Sequence, residues 1–309
     1  MSADAEVRPA GRLSPSAPAA KRPWPRRGRP WRPEGSRGAS VLLALPLVAA
    51  LAIGVGIPLV ELVYTSLHGQ GLSRYSAVIN DEAEWHALKV TVAASLVTTV
   101  ISVLAGALLA WFVHASARRT VKVVLWLAIL LPTWMGVVVK NYAFVIILGR
   151  EGVLSAALQD LHLTSGPVDL LYTPSAVIIG MVYTVLPYAV LPLYATFVNI
   201  SLDLPKAAET LGASRSRAIT SVVIPLARPA LFATTIIAFV LSLGFYLTPV
   251  ILGGTSGTFV ASLVQNDIFL FFDLPDAAAL GTTLLLVATA VLSVGFWMLG
   301  SDRIRQALG

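Results

Sequence analysis

Six apolar stretches alternate with short polar segments along this chain of 309 residues. A helix needs about 20 apolar residues to cross the hydrocarbon of a bilayer. None of the stretches alternates with the period of two that a membrane β-strand shows, and each is too long for such a strand. The pattern therefore predicts an all-α membrane protein with six transmembrane helices, at approximately 41–63, 87–113, 121–141, 173–197, 229–251 and 279–300.

Proline and glycine occur inside four of the predicted helices. Proline in a membrane helix frees a backbone carbonyl, which neighbouring helices or water in a cavity must satisfy. The pattern favours kinked helices around a translocation path, although both residues are also more frequent in membrane helices generally. The residues are Pro46, Gly54, Gly56, Pro58, Pro132, Gly136, Pro187, Pro192, Gly244 and Pro249.

The composition agrees with a membrane protein, since 56% of the residues are hydrophobic, only 12% are charged and the mean hydropathy is +0.79. A soluble domain has about a quarter of its residues charged. The absence of cysteine excludes disulfides, iron–sulfur clusters and thiol catalysis. The formal charge of +6 does not indicate a nucleic-acid partner, because nine of the basic residues lie within the first 37 positions.

The first 39 residues are rich in proline, arginine, alanine, glycine and serine. Such a segment has too little apolar surface to offset its chain entropy, so 1–39 is predicted to be a disordered basic tail. A cleaved signal peptide is the alternative, but the apolar stretch after Ser40 exceeds the roughly 7–15 residues of a signal. Residues 40–309 are then expected to form one six-helix transmembrane domain.

The distribution of charge predicts that both termini are cytoplasmic. With the N-terminus inside, the tail and most basic loop residues face the cytoplasm, whereas most acidic residues lie outside. Lys89 and Lys140 are expected at the outer interface, where long side chains extend toward water. Besides those of the tail, the basic residues expected on the cytoplasmic side are Arg118, Arg119, Lys122, Lys206, Arg215, Arg217, Arg228, Arg303 and Arg305.

Motifs of catalysis and of ion coupling are missing from the sequence. It contains no zinc-protease motif, no phosphate-binding loop and no nucleophile elbow, so an intramembrane enzyme has no motif in its favour, and no metal site is predicted. The interiors of the predicted spans hold essentially no charged residues, whereas ion-coupled carriers usually keep them there. A stand-alone carrier or channel is therefore the weaker alternative to a transporter whose energy comes from another subunit.

The polar loop 199–228 is predicted to fold as two short helices. Pro205 suits the first turn of a helix, where its missing N–H costs nothing. Gly212 fits the left-handed position that ends a helix. Ser214 is placed to cap a second helix, which is expected to run to Pro225.

The two helices of this loop have two interpretations. Ala207 and Ala208 have small side chains, which allow the close approach of a partner protein. A hairpin that lies on the membrane surface, held by Ile219, Val222 and Ile224, is equally supported by the residues alone.

The loop resembles the coupling motif of permease subunits in type I ATP-binding-cassette (ABC) importers. That motif is E-A-A-x-x-x-G followed by an apolar stretch that ends near L-P, and Ala207, Ala208, Gly212 and Pro225 match it in spacing. Lys206 departs from the usual glutamate. The resemblance implies that the loop couples to an ATPase through Lys206, Ala207, Ala208, Glu209, Leu211, Gly212 and Pro225.

A second resemblance narrows the family. The segment 242–254 resembles the fifth span of the first of two paralogous permeases in spermidine/putrescine-type systems, and 140–144 and 148–152 resemble the region outside the third span of that group. The resemblance implies the type I ABC importer permease fold and a polyamine as the solute. Related importers carry ferric iron, opines or phosphonates, and these remain alternatives.

The resemblance also implies an assembly in the bacterial cytoplasmic (inner) membrane. The expected partners are a second paralogous permease, two cytoplasmic ATP-binding subunits and an extracytoplasmic solute-binding protein. The chain itself is then a transport subunit and not an enzyme. No cofactor is expected in it, because ATP and Mg²⁺ would be bound by the ATPase subunits.

Aromatic residues of the fourth and fifth spans are the candidates for the substrate path. Aromatic faces attract cations by about 0.5–2 kcal/mol each, which suits a polyamine. Packing against lipid or a neighbouring helix is the alternative for each of them. The acidic outer loop, with Asp267, Asp273 and Asp276, is also expected to raise the local cation concentration. The path residues are Tyr183, Tyr188, Phe245, Tyr246 and Thr248.

Overall fold

The computed structural model describes residues 37–68, 71–164, 166–254 and 258–308, and in these residues it is helical without a strand. The predicted tail 1–39 lies outside the described residues except for its last three, with which the first helix begins. The helices are α1 (Arg37–Leu67), α2 (Ser73–Asn80), α3 (Glu82–Ala115), α4 (Arg119–Trp134), α5 (Val137–Leu148), α6 (Val153–Asp160), α7 (Pro174–Phe197), α8 (Asp203–Thr210), α9 (Arg215–Ala218), α10 (Ile224–Leu243), α11 (Val260–Asn266) and α12 (Leu274–Leu308).

Five helical segments are long and apolar enough to cross a membrane. A sixth arises when α4 is joined to α5 and α6, which follow it after a bend of 113°. The six apolar spans predicted from the sequence are therefore found, one of them as a broken helix. The five continuous segments are Val48–Leu67, Glu82–Ala115, Pro174–Phe197, Arg215–Leu243 and Leu274–Gly295.

Two predicted spans have wrong boundaries. The third was expected to cover 121–141, but α4 ends at Trp134, and Gly136 has an extended backbone before α5 begins. The fifth was expected at 229–251, but the helix starts at Arg215 and ends before Gly244. In both cases apolar residues continue past the break, so hydropathy does not reveal it.

The core is built on three helices, α3, α7 and α10. Ala110 of α3 clusters with Leu193 of α7 and Ala227 of α10, whereas Val103 clusters with Val185 and Ala238. The residue numbers rise together on α3 and α7 and fall on α10. Helices α3 and α7 are therefore parallel, and α10 runs against both.

Small residues allow the two parallel helices to approach closely. A Cβ atom placed on Gly106 of α3 would lie only 2.9 Å from the Cβ of Ala189 on α7. Close contact of this kind replaces the hydrophobic effect as the force that associates helices within lipid. Gly106 and Ala189 thereby fix the spacing of α3 and α7.

The chain contacts divide the protein into two units, Met1–Gly56 and Ile57–Gly309. The described part of the first unit belongs to α1. The second unit contains α2 to α12 and holds the sites described below.

The second unit has two ends of different character. Helix α8 follows the C-terminus of α7, and this end is called the α8 end. At the opposite end, Arg74 of α2 forms ion pairs with Asp276, at 2.8 Å, and with Asp273, at 3.3 Å, beside the start of α12. This is called the acidic end.

Candidate functional site

The turn between α8 and α9 is closed by backbone hydrogen bonds around a left-handed glycine. Gly212 has φ of +92°, and its N–H donates to the carbonyl of Glu209 at 3.0 Å. The N–H of Ala213 donates to the carbonyl of Ala208 at 3.0 Å. These are the paired bonds of a Schellman motif, which requires a residue without a Cβ penalty at the left-handed position. The predicted helix stop at Gly212 is confirmed.

The second helix of the loop starts as predicted but does not end as predicted. The side chain of Ser214 accepts a hydrogen bond from the N–H of Arg217 at 3.4 Å, which caps α9. A π-helical segment, Ile219–Val223, then joins α9 to α10, so the helix passes Pro225 and continues into the fifth span.

The π-helical segment explains why Pro225 does not end the helix. Proline has no N–H to donate, and its ring collides with the carbonyl four residues before it in a regular α-helix. The N–H of Ile224 instead donates to the carbonyl of Ile219, five residues back. The wider turn removes this collision, so the helix continues past Pro225.

The residues of the predicted coupling motif are mostly exposed. Leu211 is 89% exposed, which is unusual for a large apolar side chain, whereas Pro205 in the first turn of α8 is buried. Lys206 forms an ion pair with Asp203 at 3.2 Å in the same helix, and such an exposed pair contributes little to stability. Lys206, Ala207, Glu209, Leu211 and Gly212 are exposed, and Ala208 and Pro225 are half-buried.

A cavity of ≈ 350 Å³ lies where α5 and α7 meet the end of α10. Its wall includes the irregular backbone from Gly244 to Tyr246, at which the fifth span breaks. Non-helical backbone within a membrane protein occurs where it lines a cavity or is covered by protein. The break therefore marks the cavity as a functional candidate.

Three of the five predicted path residues line this cavity, namely Tyr188, Phe245 and Tyr246. Tyr183 does not line it but packs edge-to-face against Phe144, with ring centroids 5.1 Å apart. Thr248 is fully buried beside the cavity and not in its wall.

The sequence analysis misplaced Lys140 and overlooked Asn141. Lys140 was expected to extend toward water at the outer interface, but it is only 6% exposed, and Asn141 beside it is 1% exposed. Both lie on the buried face of α5. The bend after α4 turns this face inward, and hydropathy carries no signal of such a bend.

The acidic end contains a cluster of carboxylates around Arg74, whereas the sequence analysis considered only the acidic loop residues. Arg74 is 8% exposed and holds Asp273 and Asp276. Burial, and then the negative charges of Asp276 and Asp273, raise the pKa of the Asp267 carboxyl above its usual value.

Comparisons with known proteins agree with this architecture. The family described as "Binding-protein-dependent transport system inner membrane component" matches residues 41–304. The chain is 30% identical over 203 residues to the spermidine/putrescine transport system permease protein PotB of Escherichia coli (strain K12), covering 66% of this chain and 73% of that relative. It is 29% identical over 258 residues to the molybdenum transport system permease protein ModB of Mycobacterium bovis, covering 82% and 88%.

Solved structures share the fold. A bacterial ABC transporter involved in the import of the acidic polysaccharide alginate is similar with a TM-score of 0.72 at 18% identity, over 85% of this chain and 95% of that one. The bacterial alginate ABC transporter in complex with its alginate pentasaccharide-bound periplasmic protein gives a TM-score of 0.73 at 18% identity, over 86% and 94%.

Proposed function

Because this chain belongs to the family of binding-protein-dependent transport system inner membrane components, we propose that it carries movement from ATPase subunits to a solute pathway through one continuous helix. The chain is a permease subunit of an ABC importer, a transport subunit of the inner membrane and not an enzyme. The observation that supports the coupling role is the unbroken helix Arg215–Leu243, which runs from the α8–α9 turn to the cavity.

This helix acts as a rod between two places that must communicate. Its 29 residues span about 43 Å at 1.5 Å per residue. One end follows the exposed Leu211 and the Gly212 turn, and the other ends at Gly244 in the cavity wall. A displacement of α8 by a partner therefore moves the backbone that borders the cavity.

The partner at the α8 end is an ATPase subunit. The small, exposed Ala207 and the projecting Leu211 fit a groove, and Lys206 and Glu209 offer charges at its rim. ATP binding would draw two such helices together, one from this chain and one from a second paralogous permease. Coupling requires only that the ATP-bound state favours one of two conformations already accessible to the bundle.

The orientation follows from the charge distribution. The excess of lysine and arginine supports a cytoplasmic location for the α8 end and for both termini. The acidic end then faces the extracytoplasmic side, where a solute-binding protein delivers the solute. The similar alginate transporter is described in complex with its periplasmic protein, which supports such a partner.

Two solute classes have support from separate observations. The relatives named for spermidine and putrescine favour a polyamine, and the rings of Tyr188, Phe245 and Tyr246 at the cavity suit a cation. The second candidate is an anionic solute. It is favoured by the buried Lys140, which has no acidic partner in the part of the chain that the structure describes.

Single-cysteine labelling tests the coupling role directly, because the chain has no cysteine of its own. Leu211→Cys should react with a membrane-impermeant maleimide in inside-out vesicles, and bound ATPase subunits should protect it. Phe272→Cys, which is 81% exposed at the acidic end, is the matched control and should react only in right-side-out vesicles. Labelling of Leu211→Cys from the outside, or no protection by the ATPase, would contradict the proposal.

A further inference from the structure

Three buried polar side chains beside the cavity have no partner among the described residues. Lys140, Asn141 and Thr248 are 6%, 1% and 0% exposed. The Nδ2 of Asn141 and the Oγ1 of Thr248 make no hydrogen bond. Within the described ranges, no ion pair or hydrogen bond reaches the Lys140 ammonium either. Buried polar groups are nearly always paired, and an unpaired buried charge is the most costly exception.

Two of these side chains meet at one point on α7. A Cβ atom on Gly180 would lie 2.9 Å from the Cγ2 of Thr248 and 3.8 Å from the Oδ1 of Asn141. Only glycine at this position lets the segment that follows α10 and the face of α5 approach α7 together. Asn141 and Thr248, which come from different parts of the chain, are thereby brought to the same glycine.

Gly180, Asn141 and Thr248 each lie close in the chain to a residue that lines the cavity. Gly180 lies one helical turn from the cavity residue Thr184, and Asn141 lies one turn from the cavity residue Val137. Thr248 directly follows Leu247 of the cavity wall. Gly180 precedes Thr184 on α7 and therefore lies closer to the acidic end. The polar side chains beside Gly180 thus lie at the edge of the cavity nearest that end.

We propose that Lys140, Asn141 and Thr248 form a hydrogen-bond-donor subsite that binds an anionic, acceptor-rich group of the solute. An ammonium offers three donors, an amide nitrogen two and a hydroxyl one. A carboxylate or an oxyanion offers only hydrogen-bond acceptors, and its negative charge would balance the positive charge of Lys140. The inference rests on the proposed import function, and it selects the second of the two solute classes.

A polyamine fits this subsite poorly. Its ammonium groups would bring donors to donors and positive charge to the positive charge of Lys140. A methionine of similar length would also pack at this position without the cost of burying a charge. An ionisable residue kept in the interior of a membrane protein marks a functional contact, and the partner here is the solute.

Thermal unfolding of the purified complex with its ATPase and paralogous permease tests the inference. The probes are inorganic phosphate, molybdate and acetate, compared with chloride at equal ionic strength, and putrescine. We expect at least one of the three anions to raise the Tm of the complex. Lys140→Met should weaken the apparent affinity for that anion by about tenfold or more, whereas Lys140→Arg should retain most of it.

Two further variants separate binding from structure. Without any probe, Lys140→Met should raise the Tm, because it removes an unpaired buried charge, while its response to the anion disappears. Lys89→Met is the matched control, since Lys89 is exposed with its Nζ 5.2 Å from the centre of the Trp85 ring, and it should leave the response to the anion unchanged. Thr248→Val keeps the shape but removes the hydroxyl and should weaken anion binding, whereas Thr248→Ser should not.

Three results would overturn the subsite: no anion stabilises the assembled wild-type complex, Lys140→Met retains the anion response, or putrescine alone stabilises. In each of these cases an assembled complex that hydrolyses ATP leaves the import function standing. Failure of the wild-type chain to assemble with an ATPase would instead overturn the import function, and this inference with it.

Discussion

The hydroxyl of Tyr246 donates a hydrogen bond of 2.6 Å to the Oε1 of Gln265, and this bond joins the cavity wall to α11. Tyr246 follows the break at Gly244, where α10 has ended and the backbone is irregular. The bond therefore ties an irregular segment to a helix that leads to the acidic end.

Tyr246→Phe removes this bond and keeps the aromatic ring. A hydrogen bond of this kind contributes about 0.5–1.5 kcal/mol net, so the Tm of the protein should fall slightly. If the ring itself contacts solute, uptake should persist in Tyr246→Phe and be lost in Tyr246→Leu. Tyr188→Phe is the matched control, since its hydroxyl makes no hydrogen bond to any residue that the structure describes, and its Tm should equal that of the wild type. Equal uptake by both Tyr246 variants would exclude Tyr246 from the path.

Substitution of Gly212 should uncouple the ATPase. A β-branched residue at φ of +92° costs about 1–3 kcal/mol, so Gly212→Val should distort the α8–α9 turn. Gly212→Asn should be tolerated better, because asparagine accepts the left-handed region. The measurement is recovery of the ATPase with the affinity-purified permease, followed by solute uptake in vesicles.

The control for this substitution is Gly166→Val. Gly166 has open space around it and no positive φ, so this variant should bind the ATPase normally. Full ATPase recovery with Gly212→Val would mean that the turn is not the docking element.

Gly180→Ala should destabilise the protein. The new methyl would lie 2.6 Å from the Cδ1 of Leu252 and 2.9 Å from the Cγ2 of Thr248, so both must move. Overpacking of this kind costs about 1–3 kcal/mol. Thermal unfolding in detergent measures the loss. Gly295→Ala, in α12 with nothing near its Cβ position, should instead be neutral or slightly stabilising, and a similar loss there would contradict the packing argument.

We expect the stability of the protein to fall as the pH rises, because of Asp267 at the acidic end. Burial, and then Asp276 and Asp273, raise the pKa of Asp267 above its usual 3.8. The folded protein therefore holds this proton more tightly than the unfolded chain, and the stabilisation present below pH 3.8 is lost as the pH rises through the raised pKa.

Asp267→Asn removes this loss, since an amide does not ionise. The variant should be more stable than the wild type at pH 7, with a flatter dependence of Tm on pH. Asp160→Asn, at an exposed position on α6, is the control and should follow the wild type. A wild-type Tm that increases across this range because of Asp267 would reverse the assignment.

Local rules were sufficient wherever a feature depends on neighbouring residues. The stop at Gly212 and the cap at Ser214 were predicted because their hydrogen bonds are made within a few residues. The number of spans was predicted because each depends on its own length and hydropathy. Tyr188, Phe245 and Tyr246 were placed near one another because the fourth and fifth spans were expected to flank a path.

Features that depend on tertiary contacts were not predictable from the sequence. The burial of Lys140 follows from the 113° bend, and the apolar residues on both sides of Gly136 conceal that bend. The placement of Thr248 depends on a glycine 68 positions earlier in the chain. The passage of the helix through Pro225 required a π-helical turn, for which the sequence has no signal of its own.

That π-helical turn sets the direction in which the hairpin of α8 and α9 faces. An α-helix advances 3.6 residues per revolution, so one extra residue wound regularly would rotate everything before it by about 100° around the helix axis. The π turn at Ile219–Val223 absorbs that residue within a single revolution, so deleting one residue there would restore regular winding and leave the tip bearing Leu211 facing nearly the same way. The direction in which the hairpin faces thus depends on this turn, independently of the side chains at its tip.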